Sequence, residues 1–228
     1  MKLLAIDTTE TACSVALQLG GECRWRHRVA PRRHGELLLP MVEALFAEAD
    51  LDLGELDAIA FSRGPGSFTG VRIATAVAQG LALGADLPLV PVSGLAALAW
   101  GAFREIGAGH VLAALDARMG ELYWMAAAVS SEGVEALADE QVAPPPRVRA
   151  ASRGDWVAVG SGWDAHLQAL APRFRPARVL HQRQIHARDV AALGAILFRS
   201  RGGVPPEEAL PVYLRDQVAR KSAAHPFP

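Results

Sequence analysis

One pattern occurs twice in this chain, and that repetition limits the folds open to it. Lys2-Leu3-Leu4-Ala5-Ile6-Asp7 and Val111-Leu112-Ala113-Ala114-Leu115-Asp116 superpose without a gap, 109 positions apart. Each is an apolar strand ending in aspartate, and a further strand-like run follows each, at 13–19 and 121–129. In the first half, 12–19 and 22–29 alternate as a hairpin turning at Gly20-Gly21. Helix at 34–49, strand at 56–62, helix at 69–83, strand at 89–92 and helix at 94–103 come next. In the second half a strand at 156–160 and helices at 162–170 and 187–200 complete the set. Pro144-Pro145-Pro146 breaks the chain between elements, and 216–228 reads as a loose tail. Duplicated α/β lobes are the expectation.

Between the first two helices lies Phe61-Ser-Arg-Gly64-Pro-Gly66-Ser-Phe-Thr-Gly70-Val-Arg72. Strand, glycine-rich turn and helix start are the ordinary geometry for holding an anion. The details argue against it. A P-loop needs a lysine, and the chain's two lysines are Lys2 and Lys221. A dinucleotide fingerprint needs its third glycine where Thr69 stands, and an acidic residue after the next strand is missing. Pro65 removes a backbone donor. The segment reads as a structural elbow, with Ser67 or Thr69 capping the helix that follows.

Net charge is −1 and 51% of residues are hydrophobic. That balance is not one for binding nucleic acid through phosphate neutralisation alone, and it provides an ample core. The two cysteines, Cys13 and Cys23, are expected as reduced thiols. No signal segment and no 18-residue apolar run are apparent, so a cytoplasmic protein that does not contact membrane is expected.

The Leu-Ala-Ile-Asp-Thr-Thr start and Gly64-Pro-Gly-Ser-Phe-Thr-Gly-Val-Arg72 resemble the TsaB (YeaZ) family. So do Ala78-Gln-Gly-Leu-Ala82, Asp116-Ala-Arg-Met-Gly-Glu121 and Pro211-Val-Tyr-Leu-Arg215. The resemblance implies an α/β fold of two RNase H-like lobes of the actin-like, Hsp70-like superfamily, with mixed sheets and flanking helices. It divides the chain into 1–104, carrying partner-binding helices, and 105–228. It also implies work on tRNA. TsaD transfers threonylcarbamoyl from threonylcarbamoyl-AMP to adenosine N6 beside the anticodon, with the ATPase TsaE in the assembly, and this chain binds and activates TsaD without catalysing. Homodimerisation when alone, and indirect contact with tRNA, are further implications.

The catalytic paralogue's metal pair, H-x-x-x-H, is broken here: His34 is followed four positions on by Leu38, and no two histidines lie four apart. No metal and no tightly bound cofactor are expected, ATP and metal being used by partner subunits, with a nucleotide at the interface left open. Asp7, Thr8 and Thr9 correspond to a degenerate nucleotide hairpin, in which Glu10 repels phosphate. Arg118 and Met119 replace small residues in the second hairpin. Ser14, Ser67 and Ser93 stand near no recognisable base, and no G-x-S-x-G elbow occurs.

On the first helix, apolar residues spread over roughly 200° of circumference, twice what a one-sided helix needs. Pro40 is expected to kink that helix or mark its start. The second helix carries Gly70, Ala74, Ala76, Ala78 and Gly80, which would let another backbone approach. Candidate partner contacts are Leu38, Met41, Leu45, Arg72, Thr75, Ala76 and Gln79. Alternating Arg24, Arg26 and Arg28 read as a solvated edge strand, with RNA contact as the alternative. The rival enzymatic reading is a stand-alone ATP-dependent phosphotransferase, motivated by Asp7-Thr8-Thr9.

Overall fold

A computed structural model describes residues 1–149 and 154–215; the tail expected at 216–228 lies outside the described residues. The elements are β1 (Lys2–Asp7), β2 (Ala12–Leu19), β3 (Glu22–Val29), α1 (His34–Ala49), β4 (Ala58–Ser62), α2 (Phe68–Ala85), β5 (Leu89–Val92) and α3 (Gly94–Ile106). Then come β6 (His110–Arg118), β7 (Glu121–Ser130), β8 (Gly133–Ala136), β9 (Gln141–Ala143), β10 (Val157–Val159), α4 (Ser161–Phe174), β11 (Arg178–Leu180) and α5 (Ala187–Arg201).

The first sheet runs β3-β2-β1-β4-β5 and the second β8-β7-β6-β10-β11, with β9 also on β7. Both have the same plan. The aspartate-ended strand (β1, β6) lies in the middle, antiparallel to the next strand and parallel to the one after the first crossover. The repeat seen in the sequence is therefore a repeat of topology. β8, β9 and β11, three or four residues each, carry too few alternations to be read from pattern.

Packing makes five layers. α1 and α2 cover the outer face of the first sheet, where Leu4, Ile6, Val15, Leu38, Leu45 and Phe61 form one core. α4 covers the outer face of the second sheet over Trp124, Trp156 and Trp163; buried Trp163 donates Nε1–H to Leu112 O at 2.8 Å. Between the sheets α3 and α5 share the largest core. There the helices cross over: α3, from the first half of the chain, packs on β6 and β7, whereas α5, from the second half, packs on β1, β2 and β4.

α1 runs unbroken from His34 through Pro40 to Ala49, correcting the expected kink or start. The Glu36 carbonyl that loses its donor lies on an exposed turn, open to solvent. α2 is apolar and long enough by length and composition to cross a membrane, contrary to expectation. Phe68, Val71, Ile73, Val77, Leu81 and Leu83 supply most of that apolarity, and the helix packs its Val71, Ala74, Ala78 and Ala82 against the protein's own sheet. Cys13 and Cys23 are free thiols, and burial pushes the Cys13 thiol up to about 12.

Candidate functional site

The glycine-rich elbow owes its composition to contact. A Cβ on Gly66 would lie 2.5 Å from Thr9 O, and one on Gly70 would overlap Thr8 O. Gly64, at φ +100, needs glycine for its backbone as well. The elbow thus grips the end of β1. Ser67 N–H donates to Thr9 O at 2.7 Å, and Thr8 Oγ1–H donates to Gly70 O at 2.7 Å. Ser67 Oγ, the cap, accepts from Gly70 N–H.

This grip decides where the candidate nucleotide residues go. Asp7, Thr8 and Thr9 are buried. Asp7 Oδ1 accepts from Thr9 Oγ1 at 2.6 Å and from Thr9 N–H at 3.3 Å, so both threonine hydroxyls serve the fold. Asp7 Oδ2 makes no well-formed hydrogen bond, and its neighbour is the buried Ser62 hydroxyl, which favours the carboxylate less than Thr9 does. Burial lifts the Asp7 carboxyl to about 6, against the hydrogen bonds from Thr9.

A cleft of about 710 Å³ opens between the lobes beside this turn. Glu10 stands at its floor and bonds across it: Oε1 accepts from Ser161 Oγ–H and Oε2 from Ile185 N–H, both at 2.8 Å. Ser161 Oγ in turn accepts from Asp116 N–H at the end of β6. Gln184 Nε2–H donates to Thr11 Oγ1 at 2.6 Å. Burial raises the Glu10 carboxyl to about 7, and Asp7 and Asp164 add to the rise. The charge read from sequence as a repellent of phosphate is a link between lobes. The partners of Glu10 lie 151 and 175 positions away, and no local signal announces them.

The second hairpin turns through Arg118, Met119 and Gly120, all at positive φ. Its two large side chains reach the cleft mouth, Met119 being 73% exposed. Residues 211–215 then cross from lobe to lobe. Val212 N–H donates to Arg63 O, Tyr213 Oη accepts from Arg72 Nε–H at 3.1 Å, and Arg215 pairs with Glu121 at 2.5 Å. A triphosphate cradle needs small residues and free donors. This cleft has a carboxylate on its floor, an arginine and a methionine in its second hairpin and a strap across it, so these residues do not fit that group.

The serines are caps and braces. Ser67 caps α2; Ser93 caps α3 and bonds Glu140; Ser14 accepts from Ala187 N–H and donates to Arg26 O. None has an imidazole among these partners. Among the described residues no three His, Cys, Asp or Glu side chains converge as metal ligands.

The candidate partner contacts divide by burial. Leu38, Leu45 and Thr75 face the protein's own interior, Thr75 Oγ1–H donating to Val71 O. Met41 is half-buried, and Gln79 Nε2–H donates to Pro206 O and Ala209 O. Arg72 and Ala76 are exposed. The small residues also divide: Gly70, Ala74, Ala78 and Ala82 repeat every fourth position on the inner face, leaving Ala76 and Gly80 outside. With Thr69, Arg72 and Leu83 (68% exposed) they make an outward stripe, and Leu39 of α1 is exposed too.

Comparison with known proteins follows this geometry. Residues 27–191 match the family model described as TsaD: tRNA N6-adenosine threonylcarbamoyltransferase. The tRNA threonylcarbamoyladenosine biosynthesis protein TsaB of Escherichia coli K12 is 42% identical, aligned over 97% of each chain. The chain belongs to the TsaB family. TsaB of Haemophilus influenzae is 35% identical over 97% of this chain and 96% of its own. A solved structure, YeaZ from Pseudomonas aeruginosa, superposes with a TM-score of 0.89 at 44% identity, covering 93% of this chain and 99% of that one. The TsaB family thus accounts for the duplicated α/β architecture, and its members' names place the chain's role in tRNA threonylcarbamoyladenosine biosynthesis.

Proposed function

We propose that this protein is the non-catalytic subunit that binds and activates TsaD, with TsaE, in transfer of threonylcarbamoyl from threonylcarbamoyl-AMP to adenosine N6 beside the tRNA anticodon. The observation that carries the reading is the pairing of a cleft that does not fit a triphosphate, having Glu10 on its floor and the 211–215 strap across it, with an outward stripe on α2. Arg118 and Met119 stand in the cleft where a triphosphate cradle has small residues; the stripe is small enough at Ala76 and Gly80 for another helix to approach. TsaD docks on α1 and α2, and in its absence a second copy uses the same face. tRNA meets the chain through the assembled complex, in the cytoplasm.

Co-elution tests this directly: the chain mixed with TsaD is expected to move as a heterodimer in size-exclusion chromatography. Ala76→Arg adds bulk and charge to an exposed position and is expected to weaken the complex by at least about tenfold with circular dichroism unchanged. A complex formed equally well by Ala76→Arg would move the interface elsewhere, and no complex at all would defeat the reading. In calorimetry the isolated chain is expected to give no saturable heat with Mg-ATP. Tight binding lost on Asp7→Ala would favour the phosphotransferase instead.

A further inference from the structure

The first sheet ends in β3, and among the described residues no strand pairs with its outer side. The other sheet edges are short or closed: β8, β9 and β11 have four, three and three residues, and β5 is bridged at Leu89 by Val204. β3 has eight residues paired with β2 in unbroken register. A flat edge of that length, without bulge or proline, is one proteins ordinarily blunt.

Register fixes which groups face outward. Ala30 N–H donates to Thr11 O, and antiparallel partners exchange bonds at alternate pairs. Arg28, Arg26 and Arg24 therefore bond to β2, while the main-chain N–H and C=O of Trp25, His27 and Val29 point away from the sheet. Side chains alternate by face as well. Arg24 and Arg26 turn toward α1, where both bond Glu48, and Arg24 also pairs with Glu22 at 2.8 Å. Trp25 and His27 turn toward α5 against His186. Trp25 and Val29 remain 47% and 60% exposed. Among the described residues Arg28 has no carboxylate partner, nor has Arg188, whose guanidinium lies over the Trp25 ring.

We propose that β3 is a docking edge for an extended segment of another protein in which acidic and apolar residues alternate. Its main chain continues the ladder at Trp25, His27 and Val29. Its acidic side chains lie along the arginine row, one of them against Arg28, the member without a carboxylate among the described residues, and its apolar ones lie beside Trp25 and Val29. A second copy is a poor occupant. The outward-bonding residues must pair with each other, which sets one arginine row directly against the other, a destabilising arrangement. This edge is separate from the α2 stripe and stands whether or not TsaD docks there.

The test uses the full chain, isotope-labelled, with a short capped peptide of alternating Glu and Val. The Trp25, His27 and Val29 amides are expected to become protected from hydrogen exchange. Affinity is expected to fall by about tenfold in Arg28→Glu. It is expected to disappear in Trp25→Pro, which removes an outward N–H while sparing the β2 ladder. Ala76→Arg is expected to bind the peptide normally. The proposal is overturned if those amides stay unprotected in the wild-type chain, or if a Lys–Val peptide binds equally well. It is also overturned if an oligouridylate, and not the peptide, protects them, or if β3 proves to be a contact between copies.

Discussion

Gly70→Val is expected to destabilise the isolated chain by about 3 kcal/mol or more, at the upper end of overpacking costs. The new Cβ overlaps the Thr8 carbonyl oxygen, and Ser67 Oγ lies 2.5 Å away on the other side. The obstacle is main chain at the end of a central strand, so no rotamer change relieves it. Relief requires α2 to move off β1, breaking the Thr8–Gly70 hydrogen bond and opening the core at Ala74 and Ala78. At 2–4 °C per kcal/mol for a chain of this size, the melting temperature should drop by roughly 6–12 °C. Gly80, ten residues along the same helix, supplies the control. Nothing lies within 4 Å of its would-be Cβ, so Gly80→Ala should gain up to about 1 kcal/mol from helix propensity. Equal losses at both positions in thermal denaturation would show that the elbow grips nothing.

Asp7→Asn is expected to stabilise the protein at pH 8 and to leave it nearly unchanged at pH 4. The sign follows from the direction of the shift. Burial raises the folded-state pKa from 3.8 to about 6, so the folded chain holds this proton more tightly than the unfolded one. That contribution is fully present below about pH 4, is lost as pH rises through 6, and is flat above. A shift of this size corresponds to about 3 kcal/mol at its limit. Asparagine keeps an acceptor for Thr9 N–H and Oγ1–H and carries no charge into the interior. The difference between variant and wild type, measured by urea denaturation across pH 4–8, reads Asp7 together with a smaller contribution of the same sign from Glu10, whose carboxyl is relieved of the Asp7 charge. A gain independent of pH, or a loss at pH 8, would place the Asp7 charge in a favourable setting not seen here.

Local signals in the sequence carry the elements and the family. The aspartate-ended strands, the Gly20-Gly21 hairpin, the Ser67 cap and the extent of α1 all depend on residues within a turn or two of each other. Long-range contact is not legible in that way. Gly66 and Gly70 read as turn glycines, whereas their demanding neighbours are Thr9 and Thr8 from another strand. Glu10 reads as a misplaced charge because its donors, Ser161 and Ile185, belong to the other lobe. The α2 small-residue line reads as one docking surface, but period-four positions belong to the protein's own sheet. The arginines of β3 alternate visibly, yet only the register with β2 tells which backbone groups they leave open.

The crossing of α3 and α5 has a consequence for the chain's ancestry and its dissection. A duplicated gene ordinarily leaves two halves able to exist apart, but here each half carries the helix that roofs the other's sheet. Residues 1–104 alone would bare the surface around Leu3, Ala5 and Ala60, and residues 105–228 alone the surface around Val111, Ala113 and Ala127. The two halves have become mutual lodgers, each roofed by the other's helix.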